Sequence, residues 1–165
     1  MSRRHLSKSE IFEFVRRHAQ GMPVDVEFYK GKPPNAYVSK AWAANAYYRM
    51  RHGKLTDCTI QLQLSFMNNN RREQKAILLH ELGHYIEGSK YEGSSVLMEC
   101  HSHLWALKTA KLEGMKTVRR DLLHTLSWWL KGEWNAKGID RRYILAARMI
   151  LKRLPRSDLK EVIFP

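Results

Sequence analysis

The stretch from Cys58 to Gly88 leaves this chain few ways to fold. In its first part Cys58, Ile60, Leu62, Leu64 and Phe66 alternate with Thr59, Gln61, Gln63 and Ser65, the period-two pattern of a β-strand with one apolar face. Asn68 to Asn70 interrupts the run, and Asn70 followed by Glu73 has the form of a capping box that opens a helix. That helix extends to about Glu87, with Gly88 as its C-terminal stop. A strand whose apolar face must be covered, delivered by a short turn into a helix with apolar flanks, predicts a sheet with that helix packed on it.

The flanking elements follow from the same signals. Lys8 to Gln20 carries Ile11, Phe12, Phe14 and Val15 among charged neighbours, with Ser7 or Ser9 as N-cap and Gly21 after it, and reads as an amphipathic helix. Val24 to Tyr29 alternates as a half-buried strand closed by the turn-forming GKPPN. Ala36 to Arg51 is compatible with a helix or with a strand followed by a turn. Beyond the loop Gly88 to Ser94, helices are expected over Ser95 to Glu113, Thr117 to Lys131 and Ile139 to Leu154. The fold class is therefore α+β: a short mixed or antiparallel sheet on a central helix, plus C-terminal helices. At 165 residues the chain fits one domain, with 1–113 as its core and 114–165 as a basic helical extension packed on it.

Within the central helix the residues His80, Glu81, Leu82, Gly83 and His84 spell HExxH. Residues four apart share a helix face, so His80 and His84 can direct two imidazoles at one ion, and Glu81 lies beside them as a general base for a bound water. A catalytic zinc ion, Zn2+, ordinarily has three protein ligands and an open position. The spacing HExxHxxGxxH would place the glycine at Glu87 and the third ligand at Lys90, and neither residue fits. Glu99, His101 and His103 are the other candidates. Glu99 and His103 lie four apart on one helix face while His101 points about 160° away from Glu99, which favours Glu99 as ligand with His103 as its orienting neighbour and leaves the two histidines as alternatives. Tyr85, Tyr91, His103 and His124 are each able to stabilise an oxyanion. The Cys58 to Phe66 strand, at a sheet edge near the cleft, could pair with an extended peptide.

The run IQLQLSFMNNNRREQKAILLHELGHYIEG resembles the core of zincin metallopeptidases, and ECHSHLWALKTA is similar to the ExxAxxFAxxLL pattern of the ImmA/IrrE and antirestriction-type families. This places Glu99 at the ligand position of a carboxylate-ligand, gluzincin-like site, with Ser102 at the small residue and Trp105-Ala106 at the aromatic-Ala pair. The chain departs from that pattern at His103, where many such proteins carry an acidic residue. HSHLWAL is also similar to the HSxxFWxL run of SprT-like peptidases, which would make His101 the third ligand. The similarities span about Arg51 to Glu113. They imply a zincin-like fold and a zinc metallopeptidase that hydrolyses a protein or peptide substrate, with Glu81 catalytic and His80, His84 and Glu99 on the metal. The other class is a regulatory or inhibitory protein of a phage or mobile element that binds nucleic acid or a protein partner on this scaffold without peptidase activity.

Composition bears on partners and place. The formal charge is +13, and from Lys116 onward twelve Lys and Arg stand against five Asp and Glu, so nucleic acid is a possible partner of the C-terminal part. Trp128, Trp129 and Trp134 interleave with this charge and could stack on bases, but Leu122, Leu123, Leu126 and Leu130 at helical spacing favour packing onto the core. Two cysteines, Cys58 and Cys100, without a CxxC pair suit a reducing compartment and argue against a disulfide framework or a thiolate zinc knot. The polar start MSRRHLSKSE and the lack of any run near the roughly 20 apolar residues of a membrane span predict a cytoplasmic protein without membrane insertion.

Overall fold

The computed structural model describes residues 5–30, 43–52, 54–131 and 141–163. In chain order these form α1 (Lys8–His18), β1 (Val24–Tyr29), β2 (Ala44–Arg51), β3 (Lys54–Gln63), a 3-10 turn (Leu64–Asn68), α2 (Arg71–Ile86), a second 3-10 turn (Gly88–Tyr91), α3 (Ser95–Leu112), α4 (Lys116–Lys131), α5 (Arg141–Leu151) and α6 (Arg156–Ile163). The fold is α+β, as the element pattern predicts. The GKPPN turn, the first part of the Ala36 to Arg51 stretch and Trp134 lie outside the described residues.

The sheet is mixed, in the order β1-β3-β2, with β1 parallel and β2 antiparallel to β3. This corrects the expectation for the alternating run. β3 is the central strand, paired on both sides, and the edges are β1 and β2. The strand also begins earlier and ends earlier than its alternation suggests. Leu64 to Asn68 coil into a 3-10 turn that keeps Phe66 buried but leaves Leu64 44% exposed. The polar side of β3 is covered too: Gln61 and Gln63 are buried, and Asn45 Nδ2 on β2 donates to Gln61 Oε1 at 3.0 Å.

α2 opens where its capping box predicts, with the Asn70 side chain accepting from the Arg72 and Glu73 amides and Glu73 returning a bond to the Asn70 amide. Each such cap is worth about 1 kcal/mol. α1 opens in the same way on Ser7 and Glu10. α2 is buried nearly all round, against the sheet, α3 and α4. Tyr85 bolts it to the sheet: its hydroxyl donates to the Thr59 carbonyl of β3 and lies 3.3 Å from the Tyr47 carbonyl of β2. α3 ends at Leu112 and is followed by Gly114 in the left-handed region, at φ +67°. Gly88 is not such a stop. The helix closes on Glu87, and Gly88 begins the next turn without a positive φ.

α4 lies against α2 and α3 through Val118, Leu122, Leu123, Leu126 and Trp129. α5 packs on α3 and α4, and α6, which lies beyond the last expected helix and was not anticipated, packs on α4 and is tied to it by the Arg119–Asp158 ion pair. No helix among the described residues is long and apolar enough to cross a membrane.

Candidate metal centre

His80 and His84 stand one turn apart on α2 and meet Glu99 from the first turns of α3. Glu99 Oε2 lies 3.3 Å from His80 Nε2 and 3.6 Å from His84 Nε2. One donor atom from each of the three residues falls within 4.8 Å of the others, a cluster that could hold a metal ion. The spacing fits: a tetrahedral ion about 2.1 Å from each donor separates donors by about 3.4 Å. Glu99 Oε2 is moreover a buried acceptor that receives no hydrogen bond, the kind of atom a cation satisfies. The side chains of His80, His84 and Glu99 keep 12%, 12% and 10% of their surface exposed, so the cluster is sheltered yet reachable.

The hydrogen bonds behind the histidines decide which nitrogen each presents. Ser102 Oγ donates to the Met98 carbonyl at 2.6 Å, so at 3.1 Å it accepts from His84 Nδ1 and leaves His84 Nε2 for the cluster. His103 Nε2 lies 2.9 Å from the Leu122 carbonyl of α4. A carbonyl only accepts, so this nitrogen carries the proton. Burial, helped by the nearby His80, pulls the His103 pKa down to about 3 and keeps the ring neutral, which makes its Nδ1 the acceptor for His80 Nδ1 at 3.3 Å. His80 thus also turns Nε2 toward Glu99. His103 is the orienting neighbour that helical spacing predicts, but it supports His80 rather than Glu99.

The charges explain why the cluster is poised for a cation. Burial alone would raise the Glu99 pKa, but His84, His80 and Arg142 outweigh it and hold the carboxyl at about 2. Burial alone would lower His80, but the proximity and charge of Glu99 and the charge of Glu81 raise it. Burial, with the positive charges of His80 and Arg142, takes His84 down to about 4 against the pull of Glu99. Glu81 is buried, and that burial lifts its carboxyl to about 7, with Glu99 adding to the rise and His80 opposing it. The Ala46 amide of the edge strand β2 lies near enough to this carboxyl to oppose the rise slightly.

Gly83 and Gly88 make the approach of α3 possible. A methyl at Gly83 would overlap the Ser102 carbonyl, and one at Gly88 would overlap Ser102 Oγ. Only glycine at both positions lets α3 bring Ser102 to His84.

The remaining candidates fall elsewhere. His101 is stacked on Tyr91, with ring centroids 3.9 Å apart, and lies 3.5 Å from Arg153 Nη1, outside the cluster. The Tyr85 hydroxyl is occupied by the sheet carbonyls, and both His103 nitrogens are engaged. His124 lies on α4 beside Asp121. Two residues enter the site without having been singled out. Ala46 on β2 lies beside Glu81, and Tyr143 on α5 packs its ring on Trp129, centroids 4.9 Å apart, while Trp129 touches the His80 and His103 rings. Burial and the Glu99 charge push the Tyr143 hydroxyl pKa far up, so it stays protonated. The one sequence signal for Tyr143 is its place on the buried stripe of α5 with Ala146, Ala147 and Ile150. Comparison of the chain with family models, with curated proteins and with solved structures finds no match.

Proposed function

We propose that this protein is a zinc metallopeptidase, gluzincin-like in its ligands, in which His80, His84 and Glu99 hold the ion and Glu81 is the general base. The observation that carries this reading is the convergence of two Nε2 atoms and one carboxylate oxygen, with a second, distinct carboxylate directly beside them. A bound metal alone needs no such base. Zinc in this donor set supplies Lewis acidity toward a carbonyl and lowers the pKa of water. Glu81, next to His80 on α2, is placed to accept a proton and to return it to the leaving amine. β2 has no strand partner on its outer side among the described residues and carries Ala46, so an extended peptide adding to that edge would pass beside Glu81.

The test is zinc content and cleavage of a proteome-derived peptide library read by mass spectrometry, for the wild type, Glu81→Gln and His84→Ala. The wild type is expected to bind one zinc and cleave. Glu81→Gln should keep the metal and lose at least about a hundredfold in rate, and His84→Ala should lose both. Cleavage preserved in Glu81→Gln would sink the mechanism, and a zinc-loaded wild type that cleaves nothing would sink the peptidase.

A second reading, binding of nucleic acid, is favoured by the outward faces of the C-terminal helices. Lys116, Arg120 and Lys131 on α4, Arg141 and Arg148 on α5, and Lys152 just after it are all exposed, and among the described residues none of the six is ion-paired. Trp129 is core, as helical spacing predicts, but Trp128 is 55% exposed among these cations, which suits stacking on an unpaired base. Fluorescence anisotropy with a labelled single-stranded oligonucleotide should show affinity falling with salt, with a slope of about 0.7 per phosphate contacted. Trp128→Ala should weaken binding without changing that slope. Affinity insensitive to salt and to Trp128 would discard this reading.

A further inference from the structure

We propose that Arg49, on the open edge strand β2, selects the peptide to be cleaved by pairing with an acidic side chain on the N-terminal side of the scissile bond. The assignment rests on the peptidase reading above and adds to it the chemistry of the substrate.

β2 is fixed against the metal helix by its own residues. The Tyr48 ring meets the Tyr85 ring edge-on, centroids 6.0 Å apart, and the Tyr48 hydroxyl lies 3.9 Å from Sδ of Met98, the residue two before Cys100 and one before Glu99. The Tyr85 hydroxyl, one helix turn past Glu81, lies 3.3 Å from the Tyr47 carbonyl. The pairing with β3 then decides which backbone groups face the open edge. The Gln63 amide donates to the Ala43 carbonyl at 3.0 Å, and with Ala44 opposite Leu62 this makes the odd-numbered residues up to Arg49 the ones bonded to β3. Ala46 and Tyr48 therefore turn their N–H and C=O groups outward, where an added strand would bond to them. Antiparallel addition is the more stable of the two directions.

The side chains beside such a peptide are basic. Residues directly opposite one another in paired strands share a face, so peptide residues opposite Tyr47 and Arg49 lie beside those two side chains. Arg49 and Arg51 are both exposed, as is Lys54 across from Arg51. Asp57 is the cross-strand neighbour of Arg49, yet the two form no ion pair. The guanidinium turns along the strand instead: its Nε donates to the Tyr47 hydroxyl at 3.0 Å, and its carbon lies 6.0 Å from the centroid of that ring. Tyr47 thereby holds Arg49 back toward Ala46, the residue beside Glu81. The Nη groups donate to no acceptor among the described residues, and a carboxylate is the group that such a fork binds best. In an antiparallel peptide the residue opposite Arg49 precedes the one opposite Ala46, which places the acid before the cleaved bond.

The experiment maps cut sites in a proteome-derived peptide library for the zinc-loaded full chain, as wild type, Arg49→Ala and Arg49→Glu. It then compares kcat/KM on two peptides that differ only by Glu or Gln at the enriched position. Wild-type cut sites should be enriched in Asp and Glu about two to four residues before the bond. The Glu peptide should be preferred about three- to fivefold at low salt, and less as salt rises. Arg49→Ala should bring that ratio below about 1.5, and Arg49→Glu should invert it. No acidic preference in the wild type, a preference that survives Arg49→Ala, or one found only after the cleaved bond would overturn the assignment. A zinc-loaded wild type that cleaves nothing would instead overturn the peptidase reading beneath it, and that failure is seen before any variant is compared.

Discussion

Glu81 carries a charge that its surroundings disfavour. Burial raises its carboxyl from 4.5 to about 7 in the metal-free protein. Between those values the folded chain keeps a proton that the unfolded chain has released, so this group's contribution to stability is present below about pH 4.5 and is lost as pH rises through 7. Glu81→Gln should therefore stabilise the metal-free protein at pH 8 by about 2 to 3 kcal/mol and change it little at pH 5. Urea unfolding in chelator at the two pH values measures this, and an equal gain at both would show that ionisation is not the cause. A residue kept against stability, beside a cluster of metal-ligand type, is consistent with a role in chemistry. At this scale the site was largely readable. His80 and His84 follow from HExxH, and Glu99 with His103 from helical spacing. The packing of Trp129 and Tyr143 behind these rings was not readable, because nothing near them in the chain indicates which residues of α2 and α3 they meet.

The contact between α2 and α3 is where the elements are most tightly specified. Gly83 faces the Ser102 backbone and Gly88 the Ser102 hydroxyl, so the two helices touch through surfaces lacking a side chain. Gly83→Ala should push α3 away, destabilise the fold by about 1 to 3 kcal/mol and weaken zinc binding by disturbing the His84–Ser102 bond. Thermal unfolding and zinc titration read both effects, and a variant with wild-type zinc affinity would mean that the helices can separate without harm to the site. The elements themselves were mostly legible, since caps and periodicity are local. The Asn70 and Ser7 caps and the turn at Gly114 stand where their residues predict. The neighbours of β3 were not. Alternation reports which way side chains face and says nothing of what pairs with the backbone, and so β3, read as an edge, lies at the centre while β2 forms the edge beside Glu81.

The whole molecule joins two parts that the chain presents as separate. A metal-binding core and a basic C-terminal extension suggest a site complete by Glu113, yet the Leu122 carbonyl stands behind His80 through His103, and Trp129, itself packed on Tyr143, touches the His80 and His103 rings. α4 also covers α2 and α3 with Leu122, Leu123, Leu126 and Trp129, all of them buried. A chain ending at Glu113 should expose that surface and fail to fold stably, seen as aggregation or loss of a cooperative thermal transition. A soluble, zinc-binding 1–113 fragment would show the core to be self-sufficient. What the sequence determined by itself was local: the helix and strand types, the caps, and the two histidines and glutamate that one helix turn brings together, because these depend on residues a few positions apart. What only the tertiary structure decided was the order of the strands, the edge that meets Glu81, and the partners behind each candidate ligand. Those are set by packing between segments far apart in the chain, where side-chain volume and backbone approach, rather than any spacing along the sequence, determine what touches what.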